Sequence, residues 1–129
     1  MPQPEGLLYS KEHEWAKFDG DVATVGITDY AQNSLGDIVY VELPRVGSAV
    51  AQFASIGVVE SVKAVSDLFS PVGGEVVEDN ATLEADPAAV NRDPYGAGWL
   101  YKVKVSDLAQ RGLLMSAADY DAMVAATGT

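Results

Sequence analysis

Apolar positions alternate with polar ones in short runs along most of the chain, and a helical spacing appears clearly only near its end. Leu7 to Tyr9 and Trp15 to Phe18 read as strands around a charged corner, Ser10-Lys11-Glu12-His13-Glu14. Asp19-Gly20-Asp21 has hairpin chemistry, because glycine takes positive φ at little cost. Val22 to Ile27 follows as a strand rich in β-branched residues. Thr28 or Asp29 caps a short helix that Gly36 ends. Asp37 to Leu43 alternates apolar and polar over part of its length, Ile38, Tyr40 and the Leu43 end contrasting with Glu42. Pro44 and Gly47 mark a turn before a run through Val50.

Ile56 to Pro71 reads as two strands joined by a tight turn near Val62 to Ala64, which puts Lys63 at the tip. Gly74 to Glu78 is another short strand, and Asp86 to Asn91 a turn or single helical turn. Trp99 to Val105 alternates, with Leu100, Val103 and Val105 as core candidates. Leu113 to Ala126 gives the strongest helical signal. Ser116 and Asp119 have capping-box spacing, Tyr120, Met123, Val124 and Leu113 form its apolar face, and Gly128 is the stop. No linker or low-complexity segment divides residues 1–129, so they form one domain. The expected fold is a mainly β domain with a terminal helix covering an edge or end of a sheet.

Composition narrows the chemistry. Cysteine is absent and His13 is the only histidine, which excludes disulfides, a cysteine nucleophile and thiolate or multi-histidine metal sites. Eight basic residues stand against nineteen acidic ones, a formal net charge of −11. That balance argues against nucleic acid or anionic lipid as a partner and favours basic protein surfaces. Met1 to Gly6 lacks a targeting pattern and reads as a short frayed tail. No run approaches the roughly 18 apolar residues that span a bilayer. The expectation is a cytoplasmic protein, and a processed mitochondrial one would read the same.

Charge is also uneven locally. Between Arg45 and Arg92 the only basic residue is Lys63, among Glu60, Asp67, Glu75, Glu78, Asp79, Glu84 and Asp86. Lys63 is either a solubilising turn lysine or a functional amine. Acidic neighbours favour its ammonium form, which opposes Schiff-base nucleophilicity and leaves attachment or contact as the functional reading. Glu60 and Asp67 are either a solvated rim or a recognition feature for a basic partner. His13 and Glu14 next to Trp15 invite an acid–base reading, but with no nucleophile arrangement nearby a packed structural corner accounts for them better. Gly26, Gly36, Gly47, Gly57, Gly73 and Gly74 match no phosphate-loop pattern and belong to turns and close β packing. Trp99, Tyr101 and Phe69 read as packing residues, since no basic patch accompanies them.

The stretch Gly57-Val58-Val59-Glu60-Ser61-Val62-Lys63-Ala64-Val65-Ser66-Asp67 resembles the lipoyl-attachment hairpin of glycine cleavage system H proteins. The likeness extends in order through Lys11-Glu12-His13-Glu14-Trp15, Val25 to Gln32, Leu35 to Pro44, Ser70 to Val76 and Asn91 to Leu100, spanning roughly residues 7–125. A biotin carrier is the nearest structural competitor, but Val62 and Ala64 replace the methionines that usually flank its lysine. Gln52 to Ser55 is less charged than in many family members, and Gly73 replaces a more usual serine.

The resemblance implies a barrel-sandwich hybrid of two small antiparallel sheets with short helices and a C-terminal helix. It implies lipoate covalently attached to Lys63, and a cleft lined by Glu14 and Asp67 that receives the loaded arm. It implies a non-catalytic carrier that moves an aminomethyl group and reducing equivalents in glycine catabolism. The implied partners are a pyridoxal-phosphate-dependent glycine decarboxylase, a tetrahydrofolate-dependent aminomethyltransferase, dihydrolipoyl dehydrogenase and lipoylating enzymes. A lipoate relay toward 2-oxoacid dehydrogenases would use the same lysine. A binding protein with an unmodified lysine is the remaining alternative.

Overall fold

The computed structural model describes residues 6–126. The expected tail before Gly6 and the stop at Gly128 lie outside the described residues. Nine strands form two antiparallel sheets. β1 (Leu8–Tyr9), β2 (Glu14–Asp19), β3 (Val22–Ile27), β5 (Ala49–Val50), β8 (Gly74–Asp79) and β9 (Tyr101–Val105) make a six-stranded sheet in the order β1-β2-β3-β9-β8-β5. β4 (Ile38–Glu42), β6 (Ser55–Ser61) and β7 (Val65–Phe69) make the second, in the order β4-β6-β7. Short helices α1 (Asp29–Leu35), α2 (Thr82–Ala85) and α3 (Ala89–Arg92) fill connections, and α4 (Ala117–Ala126) ends the described chain. The architecture is the expected pair of antiparallel sheets with a C-terminal helix. No helix among the described residues is long and apolar enough to cross a membrane.

One buried cluster joins the sheets. Ala23 and Val25 of β3 and Val103 of β9 meet Ile38 of β4, Val59 of β6 and Leu68 of β7 in it. The alternation expected over Trp99 to Val105 holds, since Leu100, Val103 and Val105 are all buried. A smaller cluster of Tyr9, Trp15 and Tyr120 lies under α4, with Met123 and Val124 packed against it. Gly26 lies opposite Trp15 across β2–β3, and a Cβ there would come within 2.5 Å of the indole. The missing side chain is therefore the space the Trp15 ring occupies. The indole N–H donates to the carbonyls of Ile27 and Pro94, both at 3.0 Å.

Some expectations fail for local reasons. Tyr40 is 48% exposed, because a bulge between Ile38 and Tyr40 resets the alternation and turns Val41 inward instead. Leu113 does not share the apolar face of α4. It ends a separate 3-10 helix over Leu108–Leu113 and is exposed. The α4 cap is where the spacing placed it, with the Asp119 N–H donating to the Ser116 hydroxyl at 3.2 Å.

Candidate functional site: an exposed hairpin lysine and a buried acidic corner

β6 and β7 pair from Ser55 to Ser61 and from Val65 to Phe69, leaving Val62, Lys63 and Ala64 as the turn. The tip is held from inside by Ser61. Its N–H donates to the Ala64 carbonyl at 2.8 Å, and its hydroxyl accepts from the N–H groups of Lys63 and Ala64 at 3.3 and 3.1 Å. It is held from outside by one backbone bond, from the Val62 N–H to the Asp37 carbonyl at 3.0 Å. A small turn pinned in this way fixes the backbone of Lys63 and leaves its side chain exposed. Val62 and Val65 beside it are 70% and 67% exposed.

Among the described residues no carboxylate forms an ion pair with Lys63. The pairs present are Arg92–Asp86 and Lys102–Glu78. Glu60 sits opposite Val65 and Tyr40, and Asp67 opposite Val58, so both acids lie along the hairpin. They give the tip an acidic approach without clamping its amine.

Glu14 occupies the opposite kind of environment. It opens β2 and is only 3% exposed. The Ser10 hydroxyl donates to one carboxyl oxygen at 2.6 Å, and the Phe69 N–H donates to the other at 3.2 Å. Burial nonetheless dominates and raises its pKa from 4.5 to about 8, against the lowering effect of those two bonds. Glu14 thus reaches the end of β7, and Asp67 lies two residues earlier on that strand, exposed. Among the described residues no hydrogen bond or ion pair joins Glu14, Asp67 and Lys63 to one another.

The corner before Glu14 is tightly built. His13 has φ of +71°, a left-handed conformation uncommon for a non-glycine residue. Its Nδ1 lies 2.7 Å from the Tyr120 hydroxyl, which is also 2.7 Å from Thr28 Oγ1. Thr28 Oγ1 in turn accepts from the Ala31 N–H and caps α1. Burial lowers the His13 pKa, with Glu12 acting weakly the other way. His13 is therefore a packing and hydrogen-bonding residue of the α4 seat. Tyr120 was invisible as a partner in the sequence because 107 residues separate it from His13.

A two-sheet domain that presents one unpaired lysine on a rigid hairpin, with a buried carboxyl at the far end of that hairpin, defines a small β-sandwich presentation domain. Residues 7–127 match the family described as glycine cleavage H-protein. The chain is 55% identical over 120 residues to the glycine cleavage system H protein of Halothermothrix orenii, covering 93% of this chain and 94% of that one. It is 60% identical over 104 residues to the H protein of Rubrobacter xylanophilus, covering 81% and 82% of the two chains. The crystal structure of an H protein from Mycobacterium marinum superimposes with a TM-score of 0.87 at 42% identity, covering 95% of this chain and 98% of that one. The chain belongs to the glycine cleavage H-protein family.

Proposed function

We propose that Lys63 carries lipoic acid in amide linkage and that the protein is the non-catalytic carrier of a glycine cleavage system. The observation that supports this most directly is the exposed, unpaired amine on a turn whose backbone is pinned from both sides. The flanking residues are Val62 and Ala64, neither of which carries charge or a large ring beside the amine. For attachment, the neutral Nζ attacks the carbonyl carbon of an activated lipoyl ester. A C–N bond forms, the C–O bond to the leaving group breaks, and the amine gives up a proton. The formal charge of the chain goes from −11 to −12, since one cation is lost. When bound, the group supplies a dithiolane that accepts a carbon fragment and electrons and is reoxidised by thiol–disulfide exchange.

The residues of this chain supply the rest. The hairpin sets the origin of the arm, while the flexible lysine stem lets its end travel. Glu14 and Asp67 line the cleft that receives it. A buried carboxyl that keeps its proton at rest passes it to an arriving neutral amine and pairs with the resulting cation, so it favours an amine-bearing cargo. Burial also keeps water from that cargo. The acidic approach formed by Glu60 and Asp67 steers basic partner surfaces. These partners are the glycine decarboxylase, the aminomethyltransferase, dihydrolipoyl dehydrogenase and the lipoylating enzymes. The proposed setting is the cytoplasm, where such a carrier would meet these enzymes.

Intact-mass measurement after incubation with a lipoate ligase, lipoate and ATP tests the attachment. The wild-type chain gains one lipoyl increment and Lys63→Arg gains none. A lipoyl increment on Lys63→Arg, or none on the wild type, would defeat the reading.

A further inference from the structure

The hairpin tip depends on a residue far from it in sequence. Asn91, on α3, spends all its side-chain polar groups on the junction between α1 and β4. Its Nδ2 donates to the Gly36 carbonyl and to Gln32 Oε1, both at 2.9 Å, and its Oδ1 accepts from the Ile38 N–H at 2.9 Å. The residue enclosed by those bonds is Asp37, whose carbonyl receives the Val62 N–H, one residue before Lys63.

The junction is an improbable one without such support. Gly36 has φ +81° and ψ −157°, a region essentially reserved for glycine. Lys63 leans over this point, since a Cβ on Gly36 would lie 3.7 Å from Lys63 Cε. The α1–β4 junction therefore holds the tip through the backbone of Val62, with the lysine stem passing near Gly36.

We propose that Asn91 is a positioning residue for the Lys63 amine: by fixing Gly36 and Asp37 it holds the hairpin tip in the geometry that an acyl-transferring enzyme meets. This rests on Lys63 being the attachment site. A substrate backbone fixed in advance spares the enzyme the cost of ordering it, so the loss should fall on the chemical step more than on docking. The valines and acids that a partner would contact on the hairpin are untouched by a change at Asn91.

The test compares wild-type, Asn91→Ala and Asn91→Asp full-length proteins in the unmodified form. Asp keeps an acceptor for the Ile38 N–H but sets a second acceptor against the Gly36 carbonyl and Gln32 Oε1, so it isolates the loss of the two donors and should loosen the tip at least as much as Ala. Two readouts are needed. Hydrogen exchange should find the Val62 amide opening roughly three- to tenfold faster, the scale of one lost hydrogen bond, with the β2–β3 amides unchanged. Lipoylation kinetics with a lipoate ligase should show kcat reduced roughly three- to tenfold with KM little altered. An unchanged Val62 amide overturns the proposal, as does unchanged kcat with a faster-exchanging Val62, or a loss confined to KM. If wild-type Lys63 accepts no lipoate, the attachment reading fails instead, and the Val62 exchange alone decides whether Asn91 braces the tip.

Discussion

The two ends of β7 are built on opposite rules. At its start, Lys63 and its valine neighbours stand in solvent and are held by a handful of backbone bonds. At its finish, Glu14 is sealed against the Phe69 N–H beneath a corner locked by His13, Thr28 and Tyr120. The first region orders a backbone and frees a side chain. The second orders side chains and excludes water. The proposed carrier role would use both on one strand, because the origin of a swinging group and a shelter for its far end would then be fixed relative to each other.

The contrast breaks most completely at the tip. Lys63→Arg keeps the charge and removes the proposed attachment amine, so glycine-dependent carbon transfer in a reconstituted system should vanish while the thermal midpoint stays put. Loss of the midpoint would instead place Lys63 among the structural residues.

At the buried end the effects are on stability. Gly26→Ala drives a methyl into the Trp15 indole and should cost about 3 kcal/mol in urea unfolding, because the ring and its two hydrogen bonds must shift. A cost below the noise of the measurement would mean that the Trp15 seat yields freely.

Glu14→Gln sharpens the electrostatic half of the comparison. The folded-state pKa of Glu14 lies above its unfolded value, so the folded state retains a proton that the unfolded chain has shed. Its contribution is intact below pH 4.5 and is lost as pH rises toward 8. Gln mimics the protonated form. The variant should match the wild type near pH 4 and exceed it by up to about 5 kcal/mol near pH 9. A difference that does not grow with pH would mean that the carboxyl is solvated in the folded protein. Tyr120→Phe removes a hydroxyl that serves both His13 and Thr28 and should destabilise by about 1–2 kcal/mol. Its α4 amides should exchange faster, and equal protection would assign α4 docking to ring stacking alone.

The smallest effect is expected along the acidic flank. Glu60→Gln and Asp67→Asn should slow partner turnover roughly twofold at low salt and converge with the wild type at high salt, since exposed charges are screened. Rates unchanged at low salt would remove the steering role.

The tip was legible in the sequence because its signals are local. Ser61 to Ala64 are small or turn-compatible, β-branched runs flank them, and no other cation competes nearby. The burial of Glu14 was not legible, because it depends on the Phe69 N–H arriving from 55 residues away. The outward turn of Tyr40 was not legible either, because a bulge sets it and simple alternation does not encode one. α2 and the 3-10 helix escaped notice because four- and six-residue elements establish no period. Asn91 lay within a segment that carried the resemblance, but its amide bonds to residues 53 to 59 positions away gave it no visible role.

β1 adds a consequence for how the molecule opens. Tyr9 exchanges backbone hydrogen bonds with Met115, at 2.8 and 2.7 Å, and stacks on Tyr120 with ring centroids 4.9 Å apart. The first strand and the last helix are thus sewn to each other as well as to the sheet. β1 and α4 should therefore open as one cooperative unit, their amides losing protection together at a single denaturant concentration.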